Sequence, residues 1–100
     1  MSTYYVYILS NKRKTTYYIG ITNSLERRVI EHKSKIIESF TKRYNLTDLL
    51  YYEAYSQVKD ALAREKQLKN WHRDWKLNLI KKFNPKLLDL FTRDAETSSA

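Results

Sequence analysis

"YYIGITNSLERRVIEHK", residues 17–33, changes its period halfway along. Up to Thr22 it is β-branched and aromatic, the composition of a strand. From Leu25 the apolar residues return every three or four positions, the spacing of one helix face. Between the two lies Asn23, a good helix N-cap, with Glu26 three residues on in a capping-box pattern. The stretch therefore reads as the end of a strand over 16–22 and a helix over about 24–34. It also holds Gly20, the only glycine among 100 residues. A glycine inside a strand either marks a bulge or lets another group approach the backbone closely.

Outward from this stretch, "YYVYILS" (4–10) suits a buried strand, and the polar "NKRKT" (11–15) turns it into the next strand as a hairpin. "TDLLYYEAY" (47–55) reads as a third strand, and 35–46 shows no clean period and reads as loop. A second helix is expected after Ser56, whose hydroxyl can cap it, running to about Trp71. A third covers 73–83 and stops before Pro85, because the residue before a proline avoids helical angles. "NPKLLDLF" (84–91) is expected to fold its leucines and Phe91 onto the core. The order is ββαβαα. It is an α+β domain over residues 1–91, with a small, three-stranded, mainly antiparallel sheet flanked by helices, followed by a polar tail, 92–100, expected to fray.

Composition narrows the function. The chain has no cysteine, which removes disulfide partners, thiolate chemistry and cysteine-held zinc, and it fits a reducing cytoplasm. No stretch approaches the roughly 20 apolar residues of a membrane span, and the N-terminus does not read as a signal peptide. One glycine cannot build a phosphate-binding glycine loop. Nineteen Lys and Arg against eleven Asp and Glu give a net charge of +8. The tail carries one Arg against one Asp and one Glu, so residues 1–91 hold +9. A basic surface of this kind favours a polyanion, of which nucleic acid is the usual one. Lys12, Arg13 and Lys14, with Lys66, Lys69, Arg73 and Lys76, are candidates for following its backbone.

Polar groups fall where apolar ones belong. The inward stripe of the first helix runs Leu25, Arg28, Val29, His32 and Ile36, and that of the second Val58, Ala61, Leu62, Glu65, Leu68 and His72. A buried charge is costly unless paired or metal-bound. Glu65 can satisfy this by pairing with Arg28 or with Lys69 one turn on, and His32 by a hydrogen bond inside the fold. Nine tyrosines, seven of them in or beside the strands, are core packing or a platform on which bases stack.

Together "YVY" (5–7), "YIG" (18–20), "LERRVIEH" (25–32) and "LLYYEAYSQVKDALAREKQLKNW" (49–71) resemble the GIY-YIG nuclease superfamily, in particular its small stand-alone bacterial branch. The likeness covers about residues 4–90. It implies that Tyr7 and Tyr18 are the two motif tyrosines and Gly20 the glycine of the second motif. It makes Arg28 the active-site arginine, because it lies four residues before His32, a position where many members carry histidine. Glu65 becomes the ligand of one Mg²⁺ or Mn²⁺ ion, and Asn84 the candidate for a late asparagine. The first motif has Tyr5 and Val6 where the family has Gly and Ile. The implied activity is metal-dependent endonucleolytic hydrolysis of DNA, structured or single-stranded DNA among its expected substrates, with DNA favoured over RNA. In that scheme Tyr7 takes a proton from the attacking water, its acidity raised by Arg28 or the metal. Tyr18 and His32 orient water and phosphate. The alternatives are a non-catalytic DNA- or RNA-binding module with a vestigial site, and an RNA-processing factor.

Overall fold

The structure, a computed structural model, describes residues 2–35 and 40–91. Strands β1 (Tyr4–Ser10) and β2 (Tyr17–Thr22) form the expected hairpin. Helix α1 (Leu25–Lys33), a one-turn helix α2 (Phe40–Arg43), strand β3 (Asp48–Tyr55), helix α3 (Val58–Asn70) and helix α4 (Arg73–Phe83) follow. The sheet is antiparallel throughout, in the order β2-β1-β3, so the first strand in the chain is the central one. Helix α2 is a correction: the segment 35–46 reads as loop but carries this extra turn, making the order ββααβαα. The expected tail, 92–100, and Ile36 lie outside the described residues. No described helix is long and apolar enough to cross a membrane.

Both faces of β1 are covered, which is why its sequence is an almost unbroken apolar run. Val6 and Ile8 point to one side, where Ile19, Leu50, Tyr51, Ala61, Leu68 and Ile80 join them beneath α3 and α4. Tyr7 and Leu9 point to the other, with Val29 of α1, Leu46 and Leu49. Each fully buried aliphatic side chain here contributes about 1.5–3 kcal/mol. The β1–β3 register shifts between Ile8 and Leu9, which pair with Tyr51 and Leu49. Leu50 is the extra residue of this bulge, so Leu49 and Leu50 fill opposite cores.

Two caps differ from expectation. Helix α1 starts from Ser24, not Asn23, and α3 from Gln57, not Ser56, neither with a side-chain cap bond. The Thr22 hydroxyl instead accepts the Ser24 N–H, closing the strand-to-helix corner. The inward face of α3 is also rotated from the expected stripe. Ala61 and Leu68 are buried, but Val58, Leu62 and His72 are exposed, and Arg64 turns inward in their place. The cause is Glu53 on β3. Its carboxylate accepts two hydrogen bonds from Arg64 Nε and one from Nη2, at 2.9–3.2 Å, and the hydroxyls of Tyr51 and Tyr55 donate to it as well. On the far side the Arg64 guanidinium lies 5.2 Å from the Trp71 ring centre. This network fixes the rotation of α3, and with it the direction of Glu65.

Two further carboxylates fasten the ends. Buried Asp48 pairs with Lys12 at 2.8 Å and Lys14 at 3.3 Å, holding the hairpin turn to β3. Asp89 accepts from Lys33, from the Leu49 N–H and from the Phe91 N–H. Leu87 and Phe91 pack on the two cores as expected, while Leu88 and Leu90 stay exposed.

Burial alone would push the Glu53 carboxyl up, but the bonds from Arg64, Tyr51 and Tyr55 outweigh it and hold the group below the usual glutamate range. The unfolded chain therefore takes up this proton at a higher pH than the folded one. The stabilisation is full above the ordinary glutamate pKa of about 4.3 and is lost as pH falls below it. Glu53→Gln should lower stability by about 1–3 kcal/mol at neutral pH and flatten the acid limb. Denaturant midpoints of both proteins across the acid range check this, and parallel limbs would contradict it.

Candidate active site

Tyr7 sits on the central strand, yet its hydroxyl reaches out across β2. The register pairs Tyr7 with Gly20, and the ring occupies the space where a side chain at Gly20 would stand. A Cβ built there would lie 2.5 Å from the Tyr7 hydroxyl, 2.6 Å from its Cζ and 2.9 Å from Tyr18 Cε2. The glycine thus serves close approach. The bulge lies elsewhere, on β3, and Gly20 has no unusual backbone angle. Tyr18, two residues before Gly20, shares that face by the strand period. The Tyr7 and Tyr18 ring centres are 6.2 Å apart.

Helix α1 closes over this pair. Val29 anchors it, and His32, one turn later, is buried with its ring centre 6.0 Å from Tyr7 and 5.7 Å from Tyr18. His32 Nε2 is 3.2 Å from the Tyr7 hydroxyl, and Nδ1 is 2.8 Å from the Thr41 hydroxyl. Thr41, on α2, is almost fully buried. Sequence reasoning missed it, because "ESFTKRYN" (38–45) carries no period that would place a hydroxyl beneath His32.

Arg28 and Glu65 enter from opposite helices. Arg28 is half-exposed and makes a loose 3.7 Å pair with Glu31. Glu65, its side chain 18% exposed, pairs with Lys69 at 3.3 Å. Of the two partners expected for Glu65, the structure shows Lys69. Four neighbouring groups, Tyr18, Arg28, Glu65 and Glu31, act on the Tyr7 hydroxyl. Burial pushes the pKa of its hydroxyl well above the ordinary tyrosine range, making it a weaker acid, and the Tyr18, Glu65 and Glu31 charges add to this. Arg28 opposes the shift without overcoming it. Burial and then Arg28 hold His32 below the usual histidine range, with Glu31 resisting, so the imidazole is neutral near pH 7.

The remaining candidates lie elsewhere. The Asn84 amide donates to the Leu50 and Leu88 carbonyls and accepts the Leu88 N–H, so its bonds are spent tying the 84–88 loop to β3. Arg73 donates to the Lys14 and Thr15 carbonyls and stacks 5.1 Å from the Tyr17 ring centre. Lys12 and Lys14 are paired to Asp48, Arg13 and Lys66 are exposed, and Lys76 is half-buried. Among the described residues no three His, Cys, Asp or Glu side chains gather into a ligand cage. Glu65 supplies one hard oxygen donor, and its partner Lys69 is more than half exposed and easily displaced. Mg²⁺ is commonly held by one or two carboxylates together with water and substrate phosphate, so this donor fits one such ion.

The chain resembles known proteins over most of its length. A family model described as the GIY-YIG catalytic domain matches residues 3–78. A UPF0213 protein of Syntrophus aciditrophicus is 41% identical over 85% of this chain and 97% of its own length. One from Clostridium perfringens is 36% identical over 76% of this chain and 81% of its own. The solution NMR structure of a UPF0213 protein from Bacillus halodurans superposes with a TM-score of 0.51 at 28% identity, covering 79% of this chain and 83% of that one.

Gly20→Ala tests the crossing of the edge strand. In an open strand, removing glycine would stabilise by about 0.4–1 kcal/mol through the unfolded chain. Here the methyl meets a buried ring, and overpacking of this kind costs about 1–3 kcal/mol, so the clash wins. Gly20→Ala is expected to melt lower than wild type and to lose the Tyr7–His32 contact, visible as a changed His32 imidazole shift by NMR. A variant at least as stable as wild type would refute the close approach.

Proposed function

Since the chain belongs to the GIY-YIG catalytic-domain family, a nuclease family, we propose that it is a divalent-metal-dependent endonuclease that hydrolyses phosphodiester bonds in DNA. The family makes nucleic acid the substrate class. The finer reading is supported by one observation above all: Gly20 lets the Tyr7 ring cross β2, where its hydroxyl lies 3.2 Å from His32 Nε2 and both rings pack against Tyr18.

Glu65 would hold one Mg²⁺ or Mn²⁺ ion, which when bound supplies Lewis-acid stabilisation of the leaving 3′ oxygen. Arg28, only loosely engaged by Glu31, binds the scissile phosphate and faces the charge that develops there. Tyr18 orients the attacking water. Arg28 does not bring Tyr7 to a free tyrosinate, because burial pushes the other way. A relay avoids that species. The water proton passes to the Tyr7 oxygen as the Tyr7 proton passes to His32 Nε2. The hydroxide oxygen bonds to phosphorus, and the bond to the 3′ oxygen breaks. In the tautomer protonated at Nδ1, His32 donates to the Thr41 hydroxyl 2.8 Å away and leaves Nε2 open to accept the Tyr7 proton, and the relay uses this tautomer.

Glu65→Gln keeps the size and removes the charge. Cleavage of plasmid DNA with Mn²⁺ is expected to collapse, while DNA binding persists or tightens. The melting temperature without metal should barely move, because the lost partner is the exposed Lys69, and such pairs contribute about 0–1 kcal/mol. Unchanged cleavage would remove Glu65 from the mechanism. Binding without cleavage in the wild-type protein, over a panel of plasmid, single-stranded, flap and junction DNA and RNA, would establish the vestigial binding module instead.

The relay also sets the pH dependence. His32 must be neutral to accept a proton, and its pKa lies below the usual 6.5. Cleavage should therefore hold near neutrality and fall as pH drops through a value below that of an ordinary histidine, as protonation fills Nε2. His32→Gln should lose most activity, about 10²–10⁴-fold for a lost proton acceptor, and with it that acid limb. A pH–rate profile of the two proteins decides the point.

A further inference from the structure

The corner between α3 and α4 carries both tryptophans of the chain. Trp71 ends α3 in an extended conformation and His72 starts α4, so the helices turn sharply and bring the rings together. Trp75 meets Trp71 at 5.9 Å and 84°, and His72 at 5.4 Å and 81°. Arg64 covers one side of Trp71. With Asn78, Leu79 and Lys82 the two tryptophans line an open depression of about 340 Å³. Trp75 remains 55% exposed. Trp71 and Leu79 pack against the core from one side, while Trp75 stands outside it and outside the site above.

Leaving an indole this large in water is unfavourable, and a contiguous apolar patch rimmed by polar groups marks a binding surface. Charge selects the occupant. Helix α4 carries Arg73, Lys76, Lys81 and Lys82 against the single acid Asp74, on a chain of net charge +8, so a polyanion is attracted. Aromatic faces select further. In a duplex the base faces are stacked and hidden, whereas a single strand presents them to tryptophan and to guanidinium. Place along α3 matters too. Trp71 lies six residues beyond Glu65, roughly 9 Å along the axis at 1.5 Å per residue, and Arg64, the neighbour of Glu65, bridges to it.

We propose that the Trp71–Trp75 depression is a base-stacking subsite that receives an unpaired nucleotide of the nucleic acid engaged at the site, with Lys82 on its phosphate. This rests on the nucleic-acid reading of that site. It makes the preferred substrate one with a single-stranded segment beside the scissile bond.

Because the chain holds no other tryptophan, fluorescence excited selectively at tryptophan, beyond the absorption of the nine tyrosines, reports on this surface alone. The full chain, in chelator and without metal, is titrated with a short fluorescein-labelled oligothymidylate and with a blunt duplex of equal length. Anisotropy and tryptophan quenching are followed together. The single strand should quench and the duplex should not. Trp75→Ala, at an exposed position, should weaken single-strand binding about 10-fold, the size expected of one stacked base, and leave duplex binding within about two-fold. Trp75→Phe should recover most of the loss. Equal weakening on both probes, or single-strand binding without quenching, would overturn the proposal. So would a Trp75→Ala protein with unchanged binding that shifts from dimer to monomer in sedimentation, since the patch would then serve self-association. Duplex binding with no single-strand effect sinks only this subsite, whereas no binding of either probe sinks the nucleic-acid reading as well.

Discussion

A side chain that is absent governs the site. Tyr7 belongs to the central strand, and any residue larger than glycine opposite it would turn its ring back into the core. Because position 20 is glycine, a group anchored in the most rigid part of the sheet delivers its hydroxyl to the sheet's edge. Here the backbone of Tyr7 gains two hydrogen-bonded neighbours while its hydroxyl meets Tyr18 and His32.

The surrounding polar groups serve to hold that geometry. Glu53, Asp48 and Asp89 each bind cations and hydrogen-bond donors from other elements, and two of the three are on β3. Strand β3 contributes no residue to the site, yet it orients α3 through Arg64, the hairpin through Lys12 and Lys14, and the C-terminal segment through Asn84. Buried carboxylates are weak contributors to net stability but strong at fixing relative position, and position is what a site shared by two strands and two helices needs.

Much of this was legible in the chain. The change from strand to helix period at Asn23 located β2 and α1, and the inward placement of Arg28, His32 and Glu65 singled them out before any coordinate. What was not legible depends on partners distant in sequence. Leu62 looks inward and Arg64 outward by periodicity, and the order is reversed because Glu53, eleven residues back, outbids a leucine for the protein interior. Thr41 was hidden because a one-turn helix has no period to read. Glu65 pairs with Lys69 and Arg28 with Glu31, a choice set by how α1 and α3 pack, which spacing along one helix does not resolve.

The place of β1 has a consequence for synthesis. Tyr4–Ser10 leaves the ribosome before both of its sheet neighbours, and the second of them, Asp48–Tyr55, comes only after α1 and α2. The hairpin with β2 closes locally and fast, but the other edge of an apolar, β-prone segment stays unpaired until residue 55 has emerged. Such an edge is a template for pairing with neighbouring chains. Lys12, Arg13 and Lys14 follow it immediately in the sequence, and like charges there keep nascent copies apart. When β3 arrives, Asp48 neutralises two of the three, so the repulsion that guards the growing chain becomes the clasp of the finished one.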